Sequence, residues 1–133
     1  MNVILNLTIK RQWFDMISSG EKHEEYRDLG NKQVSRAFAR YNCDNKSDGV
    51  MVLRNGYSME SRALAVRILV IEKCMTSLPE HPEWGEPNCP HYSIVLGDII
   101  THGTYSEVKA VLEKVIKNEQ KKEGTGTRGS RDD

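Results

Sequence analysis

The sequence predicts an α+β fold: a small mixed β-barrel with short helices and an amphipathic C-terminal helix. Three observations lead there. Five or six short strand-like runs are spread along the chain. Helical patterns interrupt them early, centrally and at the end, and no regular β-α-β alternation connects them. With 133 residues, 38% of them hydrophobic, there is apolar material for one core and not for two.

The elements follow in order. Val3, Leu5, Leu7 and Ile9 alternate with Ile4, Asn6 and Thr8, which is strand periodicity with one mostly apolar face. Residues 11–18 read as a short helix, with Phe14 and Ile17 as core and Trp13 at a cleft rim; Gly20 suits the position just past its end, where glycine takes a positive φ. Residues 22–27 read as a strand despite their charge, and 31–41 as a helix with Val34, Phe38 and Tyr41 on one side. A polar loop over 42–49 leads to a short strand at 50–53. Arg54-Asn55-Gly56-Tyr57 is a turn, because Asn-Gly adopts turn geometry readily. Leu64 to Ile71 is nearly continuous in apolar residues, as in a strand buried on both faces. All four prolines lie between 77 and 90, in a structured loop. Strands at 92–96 and 99–102 are expected either side of a Gly97-Asp98 turn. Thr104-x-x-Glu107 is a capping box that opens a helix, whose apolar face is Val108, Val111, Leu112, Val115 and Ile116. The organisation is then a barrel over 1–103, a helix over 104–122 packed on it and a disordered tail over 123–133. A helix that instead docks a partner protein is the adaptor alternative.

Charge narrows the function classes. Nineteen basic and nineteen acidic residues give a formal net charge of zero, which argues against a polybasic nucleic-acid binder but leaves room for a local basic groove. No apolar run approaches the roughly 18 residues of a membrane span. The first ten residues lack the apolar block of a signal peptide. The expectation is a cytoplasmic protein with no membrane partner. Cys43, Cys74 and Cys89 contain no CxxC pair, which reads as reduced thiols. His81, Cys89 and His91 lie close together but lack repeated metal-ligand spacing. They are read as a loop packed by Trp84 and the prolines, with no metal and no cofactor.

The chemistry is concentrated in Gly20-Glu21-Lys22-His23-Glu24-Glu25-Tyr26-Arg27. Strand periodicity sends His23, Glu25 and Arg27 to one face and Lys22, Glu24 and Tyr26 to the other, with Lys22 at the strand mouth free to lean either way. Such a cluster has three uses. The cations can hold a phosphate. The carboxylate can accept from an amino group on a base edge. Lysine and glutamate together can move protons if burial brings their pKa values toward neutrality. The plain alternative is a solvated edge strand whose charges pair with one another and deter aggregation.

The run from Trp13 to Arg27, with its Gly-x-Lys-x-x-Glu-x-Arg core, resembles the signature of the ASCH domain family. Val52-Leu53-Arg54-Asn55-Gly56-Tyr57 resembles that family's second motif turn, and Tyr92 to Ile100 its closing strand pair. The resemblance covers about residues 3–102. It implies a PUA-like barrel whose cleft holds Lys22, Glu25 and Arg27, faced by Arg54 and the Asn55-Gly56 backbone, with Tyr57 placed to stack on a base. It implies RNA or a nucleotide as ligand. Some members are small enzymes. One group resembles amidohydrolases that deacylate a cytidine through a Lys, a Thr three positions on and a distant Glu. Lys22 matches, Glu25 stands at the Thr position, and Glu72 is the candidate for the distant Glu. Another group cleaves single-stranded RNA. If the chain is an enzyme, Lys22 and Glu25 are its expected acid/base pair.

Overall fold

The computed structural model describes residues 1–44 and 49–132, with side chains over 1–41 and 49–121. The elements run β1 (Asn2–Thr8), α1 (Arg11–Ser18), β2 (Glu24–Arg27), α2 (Lys32–Asp44), β3 (Gly49–Arg54), β4 (Arg62–Cys74), a 3₁₀ turn (Pro82–Trp84), β5 (His91–Thr104) and α3 (Tyr105–Asp132). The strands form one five-stranded sheet in the order β1-β3-β4-β5-β2. The β1–β3 pair is parallel and the others antiparallel, so the sheet is mixed. It curls into a half-barrel with β1 and β2 as its two edges. The mixed α+β expectation holds. The expected tail lies in residues whose side chains are outside the described set.

Period-two alternation divides β3 between two cores. Met51 and Leu53 face one side and join Leu5, Leu7, Phe14, Ile17, Val34, Leu64, Ile68 and Ile94 beneath α1 and α2. Val50 and Val52 face the other and meet Ala63, Ala65, Val108 and Leu112. The helix α3 therefore packs on its own sheet, which accounts for Val108 and Leu112 on its apolar face. The adaptor alternative loses those two residues as a docking surface.

Two strand expectations need correction. Double-sided burial holds for residues 63–66 but not along the whole of β4, where Leu69 is 57% exposed. The helix α3 covers one end of the sheet only. Gly97-Asp98 is not a turn: β5 runs through it without interruption. Register shifts between Ala65 and Val70 absorb the bend there, and a Cβ at Gly97 would lie 2.9 Å from a Leu69 methyl. Without a side chain, the strand keeps close to its neighbour instead of leaving it.

The capping box forms as expected. Thr104 N–H donates to Glu107 Oε1 at 2.9 Å, and Glu107 N–H donates to Thr104 Oγ1 at 3.2 Å. Thr104→Ala removes one acceptor from the first turn of α3 and is expected to cost about 1 kcal/mol. Urea unfolding followed by circular dichroism reads this directly; an unchanged midpoint would show that packing of Val108 alone starts the helix.

Candidate functional site

The motif is assembled by a tight reversal after α1. Ser19 N–H bonds to Asp15 O, Gly20 takes φ 85°, and Lys22 N–H reaches back to Met16 O at 3.0 Å. The turn lays the Lys22 stem against its own helix, with Nζ 4.8 Å from the Trp13 ring centroid and 4.6 Å from that of Tyr26. Both ring faces favour a cation. Lys22 Nζ also donates to Trp84 O, brought in by the proline-rich loop, and pairs with Glu25 Oε1 at 3.2 Å. The second carboxylate oxygen, Oε2, binds Arg27 Nη1. The Arg27 guanidinium continues to Tyr26 O at 2.8 Å and, through Nη2, to Thr8 O at 3.1 Å. Thr8 ends β1, so Arg27 links the two edges of the half-barrel by a side chain rather than by a strand ladder.

The three motif residues thus converge on one another. Their burial differs: the side chains of Lys22 and Glu25 are 1% and 4% exposed, while that of Arg27 keeps 21%. A solvated edge strand does not describe this arrangement. Buried charges persist only when paired and hydrogen-bonded, and here one carboxylate serves two cations. Burial holds the Lys22 ammonium below the usual lysine pKa, an effect that the attraction of Glu25 opposes without cancelling.

Strict period two places Lys22 with Glu24 and Tyr26. The structure instead starts β2 at Glu24, so Lys22 lies outside the strand and turns toward Glu25. Glu24 lies on the opposite face, in a cleft of about 320 Å³ that it lines with Glu72, Cys74, Glu80, Glu86 and Ser93. Burial raises the Glu24 pKa, with His81 opposing it. Tyr26 lies between the two groups. Among the described residues its buried hydroxyl has no partner, and burial together with Glu24 and Glu86 pushes its pKa far up, so it stays protonated. His81 stacks on Trp84 at 3.9 Å between centroids, and His23 meets the same ring edge-on at 5.5 Å.

Arg54 ends β3, and Asn55, Gly56 and Tyr57 follow it at the end of β1 that Arg27 also reaches: Arg54 is the register partner of Thr8, whose carbonyl accepts from Arg27. Arg54 Nη2 donates to Tyr57 O at 2.8 Å, and the guanidinium stacks on Tyr105 at 3.6 Å. Asn55 Nδ2 donates to Ile9 O at 3.1 Å, and Gly56 takes φ 139°. Among the described residues, no hydrogen bond or ion pair joins this turn to Lys22, Glu25 or Arg27. The turn braces β1 and α3, and Tyr57 alone is open, at 85% exposure.

Sequence reasoning missed Trp84 as the lid on Lys22 and the acid-lined cleft with Glu86 and Ser93. The gathering of all four prolines around Trp84 was the available signal. It also missed that Cys74 and Cys89 meet: the structure joins them in a disulfide, with Cα atoms 5.8 Å apart, where free thiols were expected. The last residue of β4 pairs with the first of β5, Cys74 with His91, and this brings Cys89 alongside. A second cavity of about 460 Å³ lies between the β1 edge and α2, walled by Asn2, Gln33, Arg36 and Arg40. Both arginines are exposed and one helical turn apart. No helix among the described residues is long and apolar enough to cross a membrane. Comparison with known proteins finds no matching family model, no similar curated protein and no similar solved structure.

Proposed function

We propose that the chain is an RNA- or nucleotide-binding module of the ASCH type, with a PUA-like arrangement of its half-barrel. The observation that carries the reading is the convergence of Lys22 and Arg27 on the single carboxylate of Glu25. Two cations against one anion leave a surplus positive charge within this cluster, and Arg27, on the edge strand β2, is its partly exposed member. A phosphate met by Arg27 gains the guanidinium's planar fork. The neighbouring Glu24 and Ser93 offer acceptors suited to the amino edge of a base. Arg36 and Arg40 supply further phosphate contacts along α2. β1 connects the two regions: Thr8, bound by Arg27, is at one end and Asn2, in the basic cavity wall, at the other. The chain's zero net charge then means a focused contact rather than a broad field.

The test is fluorescence anisotropy with short single-stranded RNAs at low and at physiological salt. Binding is expected at low salt and is expected to weaken as salt rises, because phosphate contacts release counterions. Arg27→Ala should weaken binding to all sequences alike and lower the salt slope by about 1. Absence of binding at low salt removes this reading.

Burial of Lys22 favours a second reading, a small hydrolase of acylated cytidine or a ribonuclease, since a lysine held below its ordinary pKa is what proton transfer needs. Glu72, on the wall of the neighbouring cleft, is the distant carboxylate of that reading. Incubation with acylated cytidine and with single-stranded RNA separates the two. Turnover that disappears in Lys22→Met, which keeps the stem and removes the charge, decides for the enzyme; no turnover on either substrate decides against it.

A further inference from the structure

We infer that Cys74, Cys89 and His91 form a reduction-dependent site for a zinc-class divalent ion. Their ligand atoms all lie within 4.8 Å of one another. The cysteines are joined as a disulfide, but their Cα separation of 5.8 Å suits a metal equally well. With metal–sulfur distances of about 2.3 Å, a tetrahedral centre needs its sulfurs about 3.8 Å apart, within reach of side-chain rotation alone. Cys74 and His91 are cross-strand partners at the end of the β4–β5 ladder, and Cys89 precedes His91 by two residues, so the scaffold is rigid on both sides.

The second observation is His91 itself. It is 1% exposed, and among the described residues its buried Nδ1 has no hydrogen-bond partner. Buried ring nitrogens are ordinarily paired. The other nitrogen, Nε2, lies 3.2 Å from Ser93 Oγ and 3.4 Å from Glu86 Oε2. A carboxylate on one nitrogen with the other left bare is how metal-bound histidines are held: the carboxylate fixes the tautomer and makes the ligating nitrogen more basic. Glu86 is itself fixed, since its Oε1 accepts from the Glu80 and His81 amides at 3.0 and 2.9 Å. Ser77 Oγ stands 3.0 Å from Cys74 Sγ and 3.8 Å from Cys89 Sγ, placed to donate to a thiolate. The ligand set of two thiolates and one imidazole selects zinc-class ions over magnesium or calcium. Cys74 also lines the acidic cleft, so the fourth coordination position opens toward solvent there.

The switch balances. A dithiol reductant delivers two electrons and two protons to the disulfide, giving two protein thiols while the reductant closes into a cyclic disulfide. The ion then displaces two protons from those thiols and binds as a dithiolate. The signal missing from the sequence was Cys74, which lies 15 residues before Cys89 and outside the His81-Cys89-His91 neighbourhood.

The test uses the full chain, reduced with a phosphine (disulfide plus phosphine plus water gives two thiols plus phosphine oxide) or left oxidised, then titrated with cobalt(II) and with zinc. The reduced chain is expected to bind one ion, with the visible absorption of a tetrahedral cobalt–thiolate centre, and the oxidised chain none. Cys74→Ser and Cys89→Ser should each abolish that absorption while Cys43→Ser retains it. Glu86→Gln should weaken affinity about 10–100-fold. Equal uptake by oxidised and reduced protein, no uptake by the reduced protein, or full binding by Cys74→Ser overturns the inference. Cys74 and Cys89 are half-buried, so their serine variants disturb the core less than a variant of buried His91 would. None of these outcomes depends on whether Arg27 binds phosphate.

Discussion

Glu25→Ala is expected to destabilise the protein by about 3–5 kcal/mol, the range for breaking a buried ion pair from one side. The reason is what remains. Lys22, 1% exposed, is left among the described residues with Trp84 O and two ring faces around it, and Arg27 loses the anion that orients it between β2 and β1. Two cations then face each other without an intervening carboxylate. The reciprocal change differs: Lys22→Met leaves Glu25 paired with Arg27 and fills the same space with an apolar stem, so it should cost far less. Glu25→Gln should fall between them. Urea unfolding of the three variants reads the order. A loss under about 1 kcal/mol for Glu25→Ala would place the cluster with exposed surface pairs, which contribute that little, and would remove the buried carboxylate from the functional reading as well.

That ordering shows how far the sequence reaches. Spacing alone put Lys22, Glu25 and Arg27 on one short element, and the structure brings them together. Their burial was not visible, because the cover comes from Trp84, 62 residues beyond Lys22. Local signals worked where the physics is local. The α1 boundaries follow from Gly20 and the Trp13-Phe14-Ile17 stripe, and the start of α3 follows from Thr104 and Glu107. Signals failed where a partner strand decides. Gly97-Asp98 has the composition of a turn, yet β4 offers hydrogen bonds on the far side, and the chain continues along it. The pairing of Cys74 with Cys89 depends on the same ladder reaching its last rung at His91. Asn55-Gly56 has the composition of a turn and forms one, but its place beside Ile9, one residue from the Thr8 carbonyl that Arg27 binds, depends on the parallel pairing of β1 with β3, which no local residue pattern encodes.

The second large effect is expected at Gly85. This residue takes φ 80°, where a side chain is strained, and a Cβ there would lie 2.6, 2.9 and 3.0 Å from three atoms of the Trp13 ring. Gly85→Ala therefore combines backbone strain of about 1 kcal/mol with overpacking of about 1–3 kcal/mol. Trp13 cannot simply withdraw, because it also packs against the main core and lies under the Lys22 ammonium at 4.8 Å. Either the ring or the loop must move, and the loop holds Trp84 O, the acceptor for Lys22. Gly20→Ala is the control: it has φ 85° but nothing within 4 Å of its Cβ, so it carries the backbone term alone. The excess loss in Gly85→Ala over Gly20→Ala isolates the packing of the loop on the motif. The chain's two tryptophans, Trp13 and Trp84, both lie at this junction, so intrinsic fluorescence reports it without a label. A shifted emission in Gly85→Ala with unchanged emission in Gly20→Ala is the expected result. Equal stabilities and identical spectra would mean that the loop does not seat on Trp13, and the closed environment of Lys22 would fall with it.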